Sequence, residues 1–381
     1  MKFCKKCLFP NTKPDLSFNV EGVCSACINA EYKANRIDWE LRKKEFEKII
    51  DRHLNKSSYG YDCIIPVSGG KDSTYQTYFM KEVYGLNPLC ICFETTYETE
   101  LGRLNLDNIS KMGVDLIKFK KNFKVYKSMV IEGFKRVGDE MWPNHLGIFT
   151  VPVNFAVKFK IPLIIWGENS QLEYGAPNEE SSKSNILDRK WLEEFGGLLG
   201  YRVEDMIGLD GITKKDLTPY IYPSEAEIEN VGLEGVFLGS YFFWDARKQL
   251  EIIRKKGFKV KEDGPVEGTF TNYENLDEKT HSLHDYLKYV KYGFGRATDH
   301  ASIDIRNKRI TREQGLELVK KYDGKYPHLS IQTFIEYSNM SKGEIDEIID
   351  SFTNPMLFEM DEKGNFKRDS DYNLIPAFKR I

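Results

Sequence analysis

Four continuous apolar runs, separated by segments of helical length, constrain this chain more than any other feature. They are Cys63-Ile64-Ile65-Pro66-Val67, Leu89-Cys90-Ile91-Cys92-Phe93, Leu116-Ile117-Lys118-Phe119 and Pro162-Leu163-Ile164-Ile165-Trp166. Stretches such as Lys71–Tyr84 and Leu101–Met112 lie between them. A strand that is apolar on both sides must be covered on both sides. Short strands alternating with helices describe right-handed βαβ crossovers in a parallel sheet. The expected fold class is therefore α/β, with a parallel sheet at its centre.

Other regions flank this sheet. Residues 1–30 are polar and rich in Cys, Pro and Gly, with too little apolar content for a core of their own. From Glu31 to about Leu54, the residues Trp39, Leu41, Phe46, Ile49 and Ile50 recur among Lys, Arg and Glu. That pattern predicts a helix laid across the next domain, so 31–58 reads as a connecting helix. The sheet domain is expected over 59–273, with residues 175–235, Gly-rich and acidic, forming long loops and a few helices. Residues 274–381 look helical, without a clear strand.

With 381 residues, 41% hydrophobic and 13% aromatic, there is enough apolar surface for this architecture. Charged residues make up 30%, yet the net charge is only −3, which argues against a dedicated nucleic-acid binder. No stretch has the length of a membrane-spanning helix, and the start, MKFCKKC, is no signal peptide. A cytoplasmic location with reduced thiols is expected, without a membrane or nucleic-acid partner.

Under those conditions the seven cysteines read as metal ligands before disulfides. Cys4-x2-Cys7 and Cys24-x2-Cys27 are separated by sixteen residues, the spacing of a zinc ribbon. Four thiolates suit tetrahedral zinc, and the metal would supply the folding energy this segment lacks. Iron or an iron–sulfur cluster is the alternative with the same ligands. A docking or substrate-ordering role is conceivable; a structural staple is the plainer reading. Cys63, Cys90 and Cys92 sit inside apolar runs and read as small core residues.

Directly after the first run comes Ser68-Gly69-Gly70-Lys71-Asp72-Ser73, leading into a helix. Two glycines let the backbone turn sharply and approach a ligand. The following amides form an anion-binding nest at a helix N-terminus, to which Ser68, Ser73 and Lys71 add donors and charge. Asp72 makes sense there if magnesium accompanies phosphates. A Walker A motif is excluded because Lys71 is followed by Asp72, and the Rossmann glycine pattern is missing.

Ligands of open α/β sheets bind beyond the carboxyl ends of the strands. Gly167-Glu168-Asn169 and Glu173-Tyr174-Gly175, after the fourth run, should share that edge with the Ser68 loop. Glu168 would hold magnesium or an incoming amine, and Asn169 would reach the substrate. Further on, Arg296 and His300 are balanced between site and structure, while Arg309 and Arg312 read as a solvated helix face. His281-x2-His284 lacks a third ligand and reads as surface polar residues.

The Ser68–Ser73 loop resembles the pyrophosphate-binding loop of the PP-loop ATP pyrophosphatases (adenine nucleotide alpha hydrolase-like enzymes), which include GMP, NAD and asparagine synthetases and tRNA thiolation enzymes. The resemblance implies ATP binding by Ser68, Gly69, Gly70, Lys71, Asp72, Ser73 and Gly167, with Lys71, Asp72 and Glu168 catalytic. Ile165-Trp166-Gly167-Glu168-Asn169 with Glu173-Tyr174-Gly175 is similar to the bacterial N-acetyl sugar amidotransferases. These act in lipopolysaccharide O-antigen and flagellin-glycan (nonulosonic acid) pathways. Thr99-Glu100-Leu101-Gly102-Arg103 with Asn105, Gly147-Ile148-Phe149-Thr150-Val151-Pro152, Tyr292-Gly293-Phe294-Gly295-Arg296-Ala297-Thr298-Asp299-His300 and the paired cysteines agree with that family.

The reaction implied is adenylylation of an acetamido oxygen by ATP, followed by displacement of AMP by ammonia to leave an acetamidino sugar. Its implied cofactors are Mg2+ at Asp72 and Zn2+ at Cys4, Cys7, Cys24 and Cys27. Asn169, Glu173, Tyr174, Arg296 and His300 are the implied contacts to a nucleotide-linked acetamido sugar. A built-in glutaminase would need a nucleophilic cysteine. There is none at position 2 and no Gly-x-Cys-x-Gly elbow. A separate glutaminase subunit and a cyclase-like ammonia-channel subunit are the expected partners. The rival readings are a tRNA thiolation or lysidine-type enzyme, which should be basic and usually needs a catalytic cysteine, and a non-catalytic nucleotide-binding scaffold.

Overall fold

The computed structural model of the chain describes residues 1–57, 59–175 and 200–380. α1 (Ser25–Asn35) and α2 (Trp39–His53) precede β1 (Cys63–Pro66), α3 (Lys71–Tyr78) and β2 (Pro88–Phe93). Next come α4 (Glu100–Ser110), β3 (Asp115–Phe119), α5 (Phe123–Val137), α6 (Trp142–Phe159), β4 (Leu163–Trp166) and the short α7 (Ser170–Tyr174). α8 (Glu225–Val231), β5 (Glu234–Phe237) and α9 (Ala246–Arg254) complete the sheet region. The last part carries α10 (His281–Tyr292), α11 (Arg296–Arg306), α12 (Arg312–Tyr322), α13 (His328–Ser338) and α14 (Lys342–Phe352).

All strand pairs are parallel, in the order β3-β2-β1-β4-β5. The sheet grows outward from β1 in one direction and from β4 in the other. The loops leaving these neighbours therefore part on opposite faces and open a crevice at their carboxyl ends. The period-two alternation of a strand sorts the side chains into two cores. Ile64, Leu89, Ile91, Phe93 and Ile164 pack with Val125–Phe134 of α5 and with α6. Cys63, Ile65, Cys90, Cys92 and Ile165 face Phe46 and Ile49 of α2 and Leu106 and Ile109 of α4.

The four apolar runs are thus strands, and Cys63, Cys90 and Cys92 are core residues with at most 2% exposure. A fifth strand, Glu234-Gly235-Val236-Phe237, extends the sheet at the β4 edge and was not foreseen. The helix expected over 31–54 is corrected to two. The chain leaves α1 at Asn35, and Asp38 restarts it by accepting a hydrogen bond from the Leu41 amide at 3.0 Å.

Of the expected loop region, residues 176–199 lie outside the described part. The remainder holds short 3-10 turns and α8. The helical third closes on isolated antiparallel bridges such as Phe358–Pro376 and Arg368–Leu374. It shares a core with the sheet region, because Leu283, Tyr286, Phe334 and Ile345 belong to the cluster around Phe134 and Trp142. Among the described residues no helix is long and apolar enough to cross a membrane.

α6 approaches β2 so closely that a Cβ at Gly147 would stand 2.4 Å from Cζ of the Phe93 ring. This gives the Gly147–Pro152 motif a packing role: Gly147 is the point at which the helix crosses the sheet. Gly147→Ala should destabilise the protein by about 1–3 kcal/mol through overpacking. Urea denaturation measures this, and an unchanged midpoint would count against the close contact.

Candidate active site at the carboxyl ends of β1 and β4

The loop after β1 is built around two glycines. Gly69 has φ +85°, and a Cβ there would stand 2.7 Å from the Gly102 carbonyl and 2.9 Å from the Leu106 amide nitrogen. Only glycine lets the loop lie against α4. Gly70 caps α3, and its carbonyl accepts from the hydroxyls of Ser73 (3.2 Å) and Thr74 (2.8 Å). The Ser68 hydroxyl accepts from the Gly70 amide at 3.2 Å. The first-turn amides of α3, from Lys71 to Ser73, have no intrahelical acceptor and form the positive end of the helix dipole.

Lys71 is buried, with 4% exposure, and pairs with Asp72 and, at 3.5 Å, with Glu274. Burial opposes its charge, but Asp72, Glu274 and Glu168 hold the ammonium well above its ordinary range. Glu168 leaves β4 beside it. Burial, then the charges of Asp72 and Glu173, push its carboxyl up to about 8 against the pull of Lys71. Burial likewise raises Glu274, with Lys71 opposing. Gly167 permits this convergence, since a Cβ there would overlap the Gln76 amide on α3.

The cleft is completed by Trp244, Asp245, Tyr273, Arg296, His300, Asp304 and Arg309. Asp285, Tyr174, Glu274 and Asp299 keep Arg296 charged although burial opposes it, and its Nε has no partner. The Trp244 indole nitrogen is also unpartnered. His300 takes the opposite state. Burial, then Arg296, holds its pKa well below the usual value, and its Nδ1 lies 2.6 Å from the Thr269 hydroxyl. These surroundings favour the neutral imidazole.

Asn169 lies apart from the cleft lining. Its Oδ1 accepts from the Leu172 amide at 3.2 Å and its Nδ2 donates to the Ser240 hydroxyl at 3.0 Å, which fixes the start of α7. Glu173 and Tyr174 do line the cleft, and Glu173 is paired with Lys33 of α1. The solvated-face reading of Arg309 and Arg312 is corrected. Arg309 bonds to Asp304 at 3.1 Å and to Asp245, and Arg312 donates to the Cys7 carbonyl at 3.2 Å. Their partners come from other parts of the chain, which helical periodicity cannot reveal. His284 and His281 approach different carboxylates, Asp139 at 2.9 Å and Asp277 at 3.7 Å, and both are half-buried. Glu274, Asp245 and Trp244 joined the site without any motif to announce them.

The sulfurs of Cys4, Cys7, Cys24 and Cys27 lie within 4.8 Å of one another, and among the described residues they are the group able to hold a metal. Cys4 and Cys27 are 3.9 Å apart, and Cys7 and Cys24 3.6 Å. Four sulfurs about 2.3 Å from one tetrahedral ion are separated by about 3.8 Å, so the cluster could bind zinc. This module packs behind the site wall. Arg306 donates to the Glu173 carbonyl at 3.0 Å while stacking on Phe9 at 5.1 Å. Asn29 donates to the Gln171 carbonyl at 3.3 Å, and Tyr174 packs on the cysteine cluster. Gly175 lies so close to the module that a Cβ would stand 2.7 Å from Leu16.

The raised carboxyl of Glu168 has a consequence for stability. In the unfolded chain it titrates near 4.5, in the fold near 8. Between those values the folded state keeps a proton that the unfolded state releases, so this contribution falls as pH rises across the window. Without ligands, the wild-type protein should lose more thermal stability from about pH 5 to 8 than Glu168→Gln, with melting points a few °C apart at the upper end. Parallel melting-temperature profiles would contradict this assignment.

Comparison with known proteins adds three findings. Residues 267–371 match the family described as LPS biosynthesis protein WbpG-like, C-terminal domain. An uncharacterized protein of Methanocaldococcus jannaschii is 32% identical over 123 residues, 32% of this chain and 43% of its own length. The chain thus spans less than half of that relative. Among solved structures, the NH3-dependent NAD synthetase from Campylobacter jejuni aligns over 58% of this chain and 97% of its own, at 12% identity and a TM-score of 0.28. The U34-tRNA thiolase NcsA from Methanococcus maripaludis, with its 4Fe-4S cluster, aligns over 81% and 88%, at 13% identity and 0.30.

Proposed function

We propose that the chain is an ATP-dependent amidotransferase that adenylylates the amide oxygen of an acetamido sugar and replaces it with ammonia. One observation carries this reading: the glycine loop and α3 N-terminus meet the buried Lys71 and the half-buried carboxylates of Glu168 and Glu274 at the β1/β4 switch point. The amides and Lys71 suit the pyrophosphate that leaves. Glu168, with its carboxyl near 8, suits proton uptake from the incoming ammonia near neutral pH. The resemblance to WbpG-like LPS biosynthesis proteins over residues 267–371 points to a sugar of surface polysaccharide as the acceptor.

In bond terms, the amide oxygen attacks the α-phosphorus and pyrophosphate departs. Ammonia then adds to the imidate carbon, loses a proton, and AMP leaves with the former amide oxygen. Activation is needed because an amide oxygen is otherwise a poor leaving group. Asp72, at the start of α3 in a cleft with more carboxylates than cations, would hold a hard dication together with phosphate oxygens. Mg2+ held there would neutralise phosphate charge. Zn2+ at the four cysteines would hold the wall that positions Glu173 and Tyr174.

The ammonia is proposed to come from a separate glutaminase subunit, with a cyclase-like subunit as the channel. Cys63, Cys90 and Cys92 are fully buried, with Cys90 and Cys92 pushed up to about 12, chiefly by burial. That supports sugar amidation over a thiolation reaction that needs a reactive thiol.

Incubation with ATP, Mg2+, ammonium and nucleotide-linked acetamido sugars should yield AMP, pyrophosphate and a product one mass unit lighter. Lys71→Met should lower the rate about 100-fold or more by removing charge stabilisation of the leaving group. Release of ADP in place of AMP, or an unchanged rate in Lys71→Met, would contradict the proposal.

A further inference from the structure

A second cavity, of about 370 Å3, adjoins the cleft and shares Tyr174 and Arg296 with it. One side comes from α10 and another from Gly138, Asp139 and His145. The loop between the two cysteine pairs supplies Lys13, Pro14 and Asp15. The two cavities differ in charge. Carboxylates outnumber cations in the cleft, whereas the second cavity has Lys13, Lys288, Lys291 and Arg296 against Asp15, Asp139 and Asp299.

Several of these charges are already committed. Lys288 pairs with Asp299 at 2.5 Å, and Asp139 faces His284 at 2.9 Å and His145 at 3.6 Å. Lys13 and Lys291 differ. Lys291 donates to the carbonyls of Val137 (2.7 Å) and Gly138 (2.8 Å), and Lys13 to that of Pro14 (3.3 Å). Among the described residues, no carboxylate lies within ion-pair distance of either. Burial depresses both ammonium groups. Asp299 and Asp15 oppose this at Lys13, and Asp139 and Glu140 at Lys291, without a direct ion pair. Both lysines are half-buried, Lys13 over the Phe9 ring at 5.5 Å and Lys291 over the Phe352 ring at 5.4 Å, and an anion in the cavity would give each a direct charged partner. Leu287, Tyr292 and Phe294 supply apolar surface for a ring.

We propose that this second cavity is an anion subsite, in which Lys13 and Lys291 receive a carboxylate or phosphate of the acceptor while its amide reaches the cleft past Tyr174 and Arg296. Identifying the ligand as the acceptor rests on the function proposed above; the anion subsite itself does not. The cysteine module then contributes directly to substrate recognition, because Lys13 lies on the loop between its ligand pairs.

The test is calorimetric titration of the full chain with four probes. N-acetylneuraminic acid and its methyl ester report a carboxylate source; UDP-N-acetylglucosamine and free N-acetylglucosamine report a phosphate source. At least one anionic probe should bind at least about tenfold more tightly than its neutral counterpart. Lys13→Gln and Lys291→Gln should each weaken it about tenfold, with Lys13→Arg close to wild type and ATP binding unchanged. The proposal is overturned if neither anion is preferred, if both Gln variants bind as wild type, or if they lose ATP equally. Binding of an anion through Lys13 without AMP formation would keep the subsite and sink amide activation. Amidination of a neutral acetamido sugar, with no anion preference, would do the reverse.

Discussion

Lys71 carries a full charge into a place from which water is excluded, and the site is organised around meeting that charge. A buried ammonium is tolerable only where carboxylates face it closely. Asp72 is its chain neighbour, but Glu274 and Glu168 must be brought from elsewhere. The strand order brings Glu168: with β4 beside β1, the turn after β4 opens next to the loop after β1, while Glu274 comes from the segment that precedes α10. Gly69, Gly102 and Gly167 then allow backbones and side chains to close on one another at that edge. Burial, then the charges of Asp72 and Glu173, raise Glu168 to about 8 against the pull of Lys71, so the carboxylates that meet the buried ammonium also set the acid–base character of the cleft.

Two electrostatic environments follow, separated by Tyr174 and Arg296. The cleft is rich in carboxylates, whereas in the neighbouring cavity Lys13 and Lys291 donate to backbone carbonyls rather than to carboxylates. The cysteine module lines the second cavity and backs the segment that walls the cleft. Lys33, Asn29 and Arg306 tie down the Gln171–Glu173 backbone and side chains, and Lys13 enters the second cavity. A metal that folds this segment would therefore be felt in substrate geometry as well as in stability.

Much of this arrangement was legible in the amino-acid sequence. β1, β2 and β4 announce themselves as continuous apolar runs because both sides of each strand are covered, while the edge strand β3 is read from Leu116, Ile117 and Phe119 alone. Glu234-Gly235-Val236-Phe237 escaped because an edge strand needs less apolar surface, and its Glu and Gly read as loop. The glycine loop, the four cysteines and Glu168 were readable because their chemistry is local. In the sequence Glu274 opens a helical region apart from the sheet, yet its carboxylate is a partner of Lys71. Arg309 and Arg312 show the limit most plainly. Their helical spacing suggests a wet face, while Asp245 and the Cys7 carbonyl, distant in sequence, decide otherwise.

The account stands on the amide oxygen of the acceptor being the atom that ATP activates. An acetamido sugar carrying heavy oxygen in its amide tests this directly. Mass spectrometry of the nucleotide product should find the label in the phosphate of AMP, with none left in the sugar at that position. Label retained by the sugar, with unlabelled AMP, would contradict the mechanism.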